Sequence, residues 1–136
     1  MKARGTYTVS KWEESTYQDI SPEMKLCRAT VVFDISGEIK GTASVEYLLF
    51  YQFFDPKDPH AAIASYVSLI RFEGVVGGKE GGFVMRDEGS YQGGRASSRL
   101  RIEEGSGTGA LHGIAGTGMY RADDKGYTIE LEYQLD

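Results

Sequence analysis

Glycine placement constrains this chain more than any other feature. Eighteen glycines are present, and fourteen of them fall between Gly74 and Gly118, inside segments that alternate apolar and polar residues. Glycines set among alternating residues mark short antiparallel strands, tight turns and bent corners. The distribution therefore predicts a small closed all-β architecture. It names no reaction and no ligand, but it fixes which side chains should line the interior.

No 3.6-residue apolar period persists over three turns, whereas strand patterns repeat. Residues 3–13 read as a first strand with Tyr7 and Val9 on one face. Trp12 falls on the other face, so a bulge is expected near Ser10 or Lys11. Residues 15–23, with Ser21-Pro22, read as a loop. In residues 24–36, Cys27, Ala29, Val31, Phe33 and Ile35 share one face. Residues 42–54 are apolar on both faces, and the run Asp55-Pro56-Lys57-Asp58-Pro59 forms a turn. Further strands are expected at 63–74, 81–91, 94–103, 108–122 (interrupted) and 127–135. In the last, Tyr127, Ile129, Leu131, Tyr133 and Leu135 alternate with polar residues. About eight such strands with hairpin links fit an antiparallel up-and-down β-barrel, in which closure removes exposed edges. A β-sandwich is the alternative. The whole chain, residues 1–136, reads as one domain.

Turn chemistry predicts registers. A turn at Gly77-Gly78 sets Phe72 opposite Phe83, Ile70 opposite Met85 and Ser68 opposite Asp87. A turn at Gln92-Gly93 sets Asp87 opposite Ser98 and Met85 opposite Leu100. Together these place Ser68, Asp87 and Ser98 in one row on an apolar inner wall. Such an acid between two hydroxyls is either a ligand anchor or general acid/base, or a rim carboxylate satisfied by neighbours and water. A symmetric hairpin around Pro56–Pro59 sets Glu46 opposite Arg71, Tyr47 opposite Ile70 and Tyr51 opposite Tyr66. Glu46 and Arg71 then form either an exposed ion pair, worth under about 1 kcal/mol, or a subunit contact. Tyr47, Tyr51, Tyr66 and Tyr127 are the phenols expected in an open lumen, and Cys27 is expected to point inward.

The outer face of residues 42–54 carries Leu48, Phe50 and Phe54. With Val67 and Leu69 it makes a patch too apolar for open solvent, so a homo-oligomer is expected. The net charge of −5 disfavours nucleic-acid binding. Arg95, Arg99 and Arg101 form a short basic stripe followed by Glu103 and Glu104, which reads as a solvated strand face. With one cysteine no internal disulfide can form. His60 and His112 have no partners at metal spacing, so neither a metal nor a cofactor is expected. No secretory leader or membrane-length apolar run is read, so the expected compartment is the cytoplasm.

The stretch from Gly105 to Gly118, GSGTGALHGIAGTG, resembles the glycine motif of the allene oxide cyclase and dirigent-like barrels. The rest of the chain is similar to a bacterial family of unknown function with that barrel. Its hallmarks stand here as Lys2-Ala3-Arg4-Gly5-Thr6, Trp12-Glu13-Glu14, Glu46-Tyr47-Leu48, Gly77-Gly78 and Gly81-x-Phe83. The resemblance implies an eight-stranded barrel with a lumen, often in oligomers, and no known activity. Catalytic residues of the plant cyclases do not map onto this chain, apart from an inward-pointing Cys27 that parallels their lumen cysteine. Lipocalins and fatty-acid-binding proteins usually carry Gly-x-Trp near the start, where this chain has Ser10-Lys11-Trp12.

Three functions follow as expectations. The first is a barrel that binds a small, largely apolar molecule through Asp87, Ser68, Ser98, Tyr47, Tyr51, Tyr66 and Cys27. The second is a cyclase or isomerase in the same lumen, with Asp87 as acid/base and Cys27 as auxiliary. The third is an oligomeric interaction protein whose interior is filled by its own side chains.

Overall fold

The computed structural model describes residues 1–135. Their strands are β1 (Lys2–Asp19), β2 (Lys25–Gly37), β3 (Ile39–Phe53), β4 (Ile63–Val76), β5 (Lys79–Gln92), β6 (Arg95–Ile102), β7 (Thr108–Gly109), β8 (Ala115–Asp123) and β9 (Gly126–Gln134). The sole helical element among them is one 3-10 turn, Pro59–Ala61. Among the described residues no helix is long and apolar enough to cross a membrane. All pairings are antiparallel, and they run in a ring from β1 through β6, then β8 and β9, and back to β1. The two-residue β7 pairs with β5 alone and lies outside that circuit. Nine strands replace the expected eight because the interrupted 108–122 segment contributes two.

Alternation puts one face of each strand of the ring inside. Phe72, Phe83, Met85, Ile70 and Ile39 are fully buried there. The segment between β7 and β8 tucks Leu111 and Ile114 into this core near the β4–β5 hairpin. That end of the ring is solid. The turn into this segment uses Gly109 at φ +61°, a left-handed conformation that other residues rarely adopt. Close packing matters at a second glycine pair. Gly41 and Gly74 face each other across β3 and β4, and a Cβ on Gly41 would lie 2.8 Å from the Gly74 Cα.

The β4–β5 register is the expected one, with Ser68 opposite Asp87. Two other registers differ from expectation. The β5–β6 turn is Gly93-Gly94, not Gln92-Gly93, so Asp87 pairs with Leu100 and Ser98 with Gly89. Both turn residues have positive φ, which Gln92 would adopt only with strain. In β3–β4, Glu46 pairs with Leu69, Tyr47 with Ser68 and Tyr51 with Ala64. A register shift between Tyr51 and Phe53, followed by the 3-10 turn, makes that connection asymmetric. Glu46 instead accepts from the Thr30 hydroxyl, and Arg71 bridges Glu73 at 2.9 Å. Each slip is by two residues, so the inward face is unchanged.

The expected loop at 15–23 is also corrected. β1 runs on to Asp19, paired with β2 through a short connection in which the Ser21 hydroxyl accepts the backbone N–H of Met24. Beyond Thr6, β1 has left β9 and pairs with β2 alone. From Thr8 to Glu13 and from Ser15 to Asp19 its residues are exposed on both faces, so they carry no alternation to read. The bulge expected near Ser10 is present between Val9 and Lys11, and it sets Trp12 opposite inward-facing Val31.

Candidate functional site

At the end of the ring opposite Leu111 and Ile114, the interior is open. A cavity of about 300 Å³ lies between the ends of β1, β8 and β9 and the β5–β6 hairpin. Eight of its twelve lining side chains are aromatic, which sets its character. β1 supplies Tyr7 and Trp12, β2 supplies Phe33, and β8 supplies Tyr120. Tyr7 packs on Phe33 at 4.7 Å between ring centroids and meets Tyr120 edge-on at 6.0 Å. Tyr47 and Tyr66 meet edge-on at 5.2 Å, and Trp12 lies over Tyr47 at 6.0 Å. These geometries fix the rings in place. Trp12 is half exposed and Tyr127 is 44% exposed, so both stand at the mouth.

The floor is polar. Asp87 is 1% exposed and accepts hydrogen bonds on Oδ2 from the Ser68 hydroxyl and, at 3.1 Å, from the Tyr120 phenol. Tyr120 in turn shares a 2.5 Å hydrogen bond with the Tyr47 phenol, and Tyr66 shares one of 2.5 Å with Ser98. Asp87 Oδ1 is the one buried side-chain polar atom among the described residues that lacks a partner. Burial pushes the Asp87 carboxyl up to about 6; the hydroxyls of Ser68, Tyr120 and Ser98 pull it down without cancelling that effect. Burial likewise raises the phenols of Tyr7, Tyr47, Tyr66 and Tyr120, so all stay protonated near neutral pH.

The structure thus brings together Asp87, Ser68, Ser98, Tyr47 and Tyr66. Ser98 reaches the group diagonally, from beside Gly89, and not from the row expected for it. Asp87 itself is not a lining residue; Tyr120 and Tyr47 stand between it and the cavity. Tyr51 and Cys27 lie elsewhere, where β1 to β3 extend past the ring. Tyr51 donates to the Glu14 carboxylate at 2.9 Å, and the fully buried Cys27 sits 3.5 Å from the Thr16 hydroxyl. Burial raises the Cys27 thiol, which suits a core residue more than a nucleophile. The sequence pattern does not single out Tyr120, because the residues that share its inward parity on β8, Gly118 and Ala122, are too small to mark a buried face.

Outside the ring, Leu48, Val67 and Leu69 are 50%, 52% and 54% exposed. They line a shallow groove of about 780 Å³ edged by Arg28, Arg86 and Arg99. Phe54 has left this patch and is covered by the Lys25 ammonium, 3.6 Å from its ring centre. Among the described residues, no three His, Cys, Asp or Glu side chains are placed to hold a metal ion.

The fold and the site define a class: an all-β ring, packed at one end and opening at the other into an aromatic cavity. The sequence matches, over residues 3–135, the family described as a protein of unknown function (DUF3224), and the chain belongs to that family. A crystal structure of a member from Shewanella oneidensis MR-1, itself described as of unknown function, superposes with a TM-score of 0.79 at 21% identity. The alignment covers 100% of this chain and 98% of that one, which shows the fold. No curated protein matches the chain.

Proposed function

We propose that the ring is an eight-stranded barrel of the allene oxide cyclase-like kind, and that it binds a small, largely apolar molecule in its open end. The observation that carries this reading is the 300 Å³ aromatic cavity set over a hydrogen-bonded floor. A pocket of that size, mostly apolar with a few convergent polar groups, is the usual form of a small-molecule site. Ser68, Asp87 and Ser98 orient the floor through Tyr120, Tyr47 and Tyr66. The raised carboxyl of Asp87 favours a second reading, proton transfer in a cyclase or isomerase. Binding is preferred because Asp87 stands one phenol behind the cavity wall. The protein is taken to work in the cytoplasm, without nucleic acid or cofactor, and to pair with a second copy through Leu48, Val67 and Leu69.

Native mass spectrometry of the protein purified from its own cells tests the reading. A retained small molecule, released on denaturation and lost in a Trp12→Ala variant, is the expected result. A cavity filled by its own side chains in solution, with no compound of an aromatic panel raising the melting temperature, would favour the interaction-protein reading instead.

A further inference from the structure

We propose that the cavity selects organic cations, namely small molecules with an aromatic or apolar body and a primary ammonium group seated against Tyr47. This inference rests on the binding reading above and adds the ligand's chemical class. Three independent features agree on it.

The first is the wall. Aromatic faces carry negative quadrupole charge and attract an ammonium placed over them, more strongly where water is excluded. Tyr7, Trp12, Phe33, Tyr47 and Tyr66 surround one small space from four strands. The second is the sign of charge. No Lys, Arg or His lines the cavity. The formal charge nearest its floor is the Asp87 carboxylate, which takes part in no ion pair among the described residues and keeps Oδ1 unpartnered. A buried carboxylate without a cation is unfavourable, and a cationic ligand would offset that.

The third is the direction of the hydrogens. Tyr120 donates its hydrogen to Asp87. The bond between Tyr47 and Tyr120 must then run from Tyr47 as donor. Tyr7 donates to the Arg121 carbonyl at 3.3 Å. The hydrogens of Tyr7, Tyr47 and Tyr120 are therefore committed to the protein, and the Tyr47 oxygen keeps a lone pair for the ligand. The floor accepts hydrogen bonds and has few to give. An ammonium N–H satisfies it; a carboxylate or phosphate would meet lone pairs and π faces.

Three probes of nearly one shape test this: 2-phenylethylamine, 2-phenylethanol and 3-phenylpropanoate. Each is titrated at pH 8 into the full chain, followed by the emission of its single tryptophan and by amide chemical shifts. The amine should bind at least about tenfold more tightly than either other probe. In Asp87→Asn, folded by circular dichroism, the preference should fall to about threefold or less. Should that variant fail to fold, the wild-type order of the three probes decides alone. Equal or tighter binding of the alcohol or the carboxylate overturns the cation assignment while leaving the cavity a binding site. An amine preference undiminished in Asp87→Asn overturns the role given to the carboxylate. If none of the three perturbs Trp12 or any cavity amide at millimolar concentration, the binding reading itself fails.

Discussion

Replacing Asp87 by Asn should flatten the dependence of folding stability on pH between about 5 and 7. The folded carboxyl titrates near 6, above its ordinary value of 3.8, because burial penalises the charged form. The folded state therefore holds the proton more tightly than the unfolded chain. Stability from this group is present at low pH and is lost as pH rises through about 6. The full span of about two pH units corresponds to roughly 3 kcal/mol, and the part falling between pH 5 and 7 to roughly 1.4 kcal/mol. Contributions common to both proteins cancel in a double difference, which is the quantity to measure. Urea unfolding of wild type and Asp87→Asn, each at pH 5 and 7, is followed by Trp12 emission and far-ultraviolet circular dichroism. Wild type should gain about 1.4 kcal/mol more than the variant on acidification, or about 5 °C in Tm. Parallel behaviour to within about 0.3 kcal/mol, or a gain on raising the pH, would refute the view of Asp87 as a desolvated carboxyl.

Four further outcomes are expected. Tyr120→Phe deletes one donor to Asp87 and the acceptor of Tyr47, and should lower stability by about 1–3 kcal/mol in urea; it should also raise the Asp87 midpoint seen by carbon-13 NMR. Gly41→Ala drives a methyl into the β4 backbone and should lower stability by about 2–4 kcal/mol, whereas Gly78→Ala, with open space around it, should lose only about 1 kcal/mol to its positive φ. Leu48→Lys with Leu69→Lys should convert any dimer seen by analytical ultracentrifugation to monomer, with the circular dichroism spectrum unchanged. Cys27, buried with a raised thiol, should resist a thiol reagent at neutral pH in the native protein and react fully in denaturant, which an exposed nucleophile would not do.

The inward face of this protein was legible because side-chain parity is robust. Phe72, Phe83, Met85, Ile70, Ile129 and Leu131 are all buried as their alternation required. Registers proved less legible, because parity survives a two-residue slip. Nothing in the pattern at Tyr91 or Gln92 distinguishes a Gln92-Gly93 turn from Gly93-Gly94; backbone φ does. The outer half of β1 was missed for a related reason. With both faces in water, Glu13 to Asp19 carry no hydrophobic period, and pairing with β2 alone makes them a strand. Of the candidate site, Asp87 and Ser68 could be joined through one well-specified turn. Tyr120 could not, since its links to Asp87 and Tyr47 cross the interior between strands far apart in sequence.

The early departure of β1 from β9 has a kinetic consequence. Past Thr6 and Thr128 no ladder spans those two strands, and the exposed rings of Trp12 and Tyr127 stand at the gap. A guest could pass this side door by rotation of exposed rings, on the nanosecond scale, without unzipping backbone pairs. How long it stays would then be set by its grip on the floor and not by breathing of the sheet.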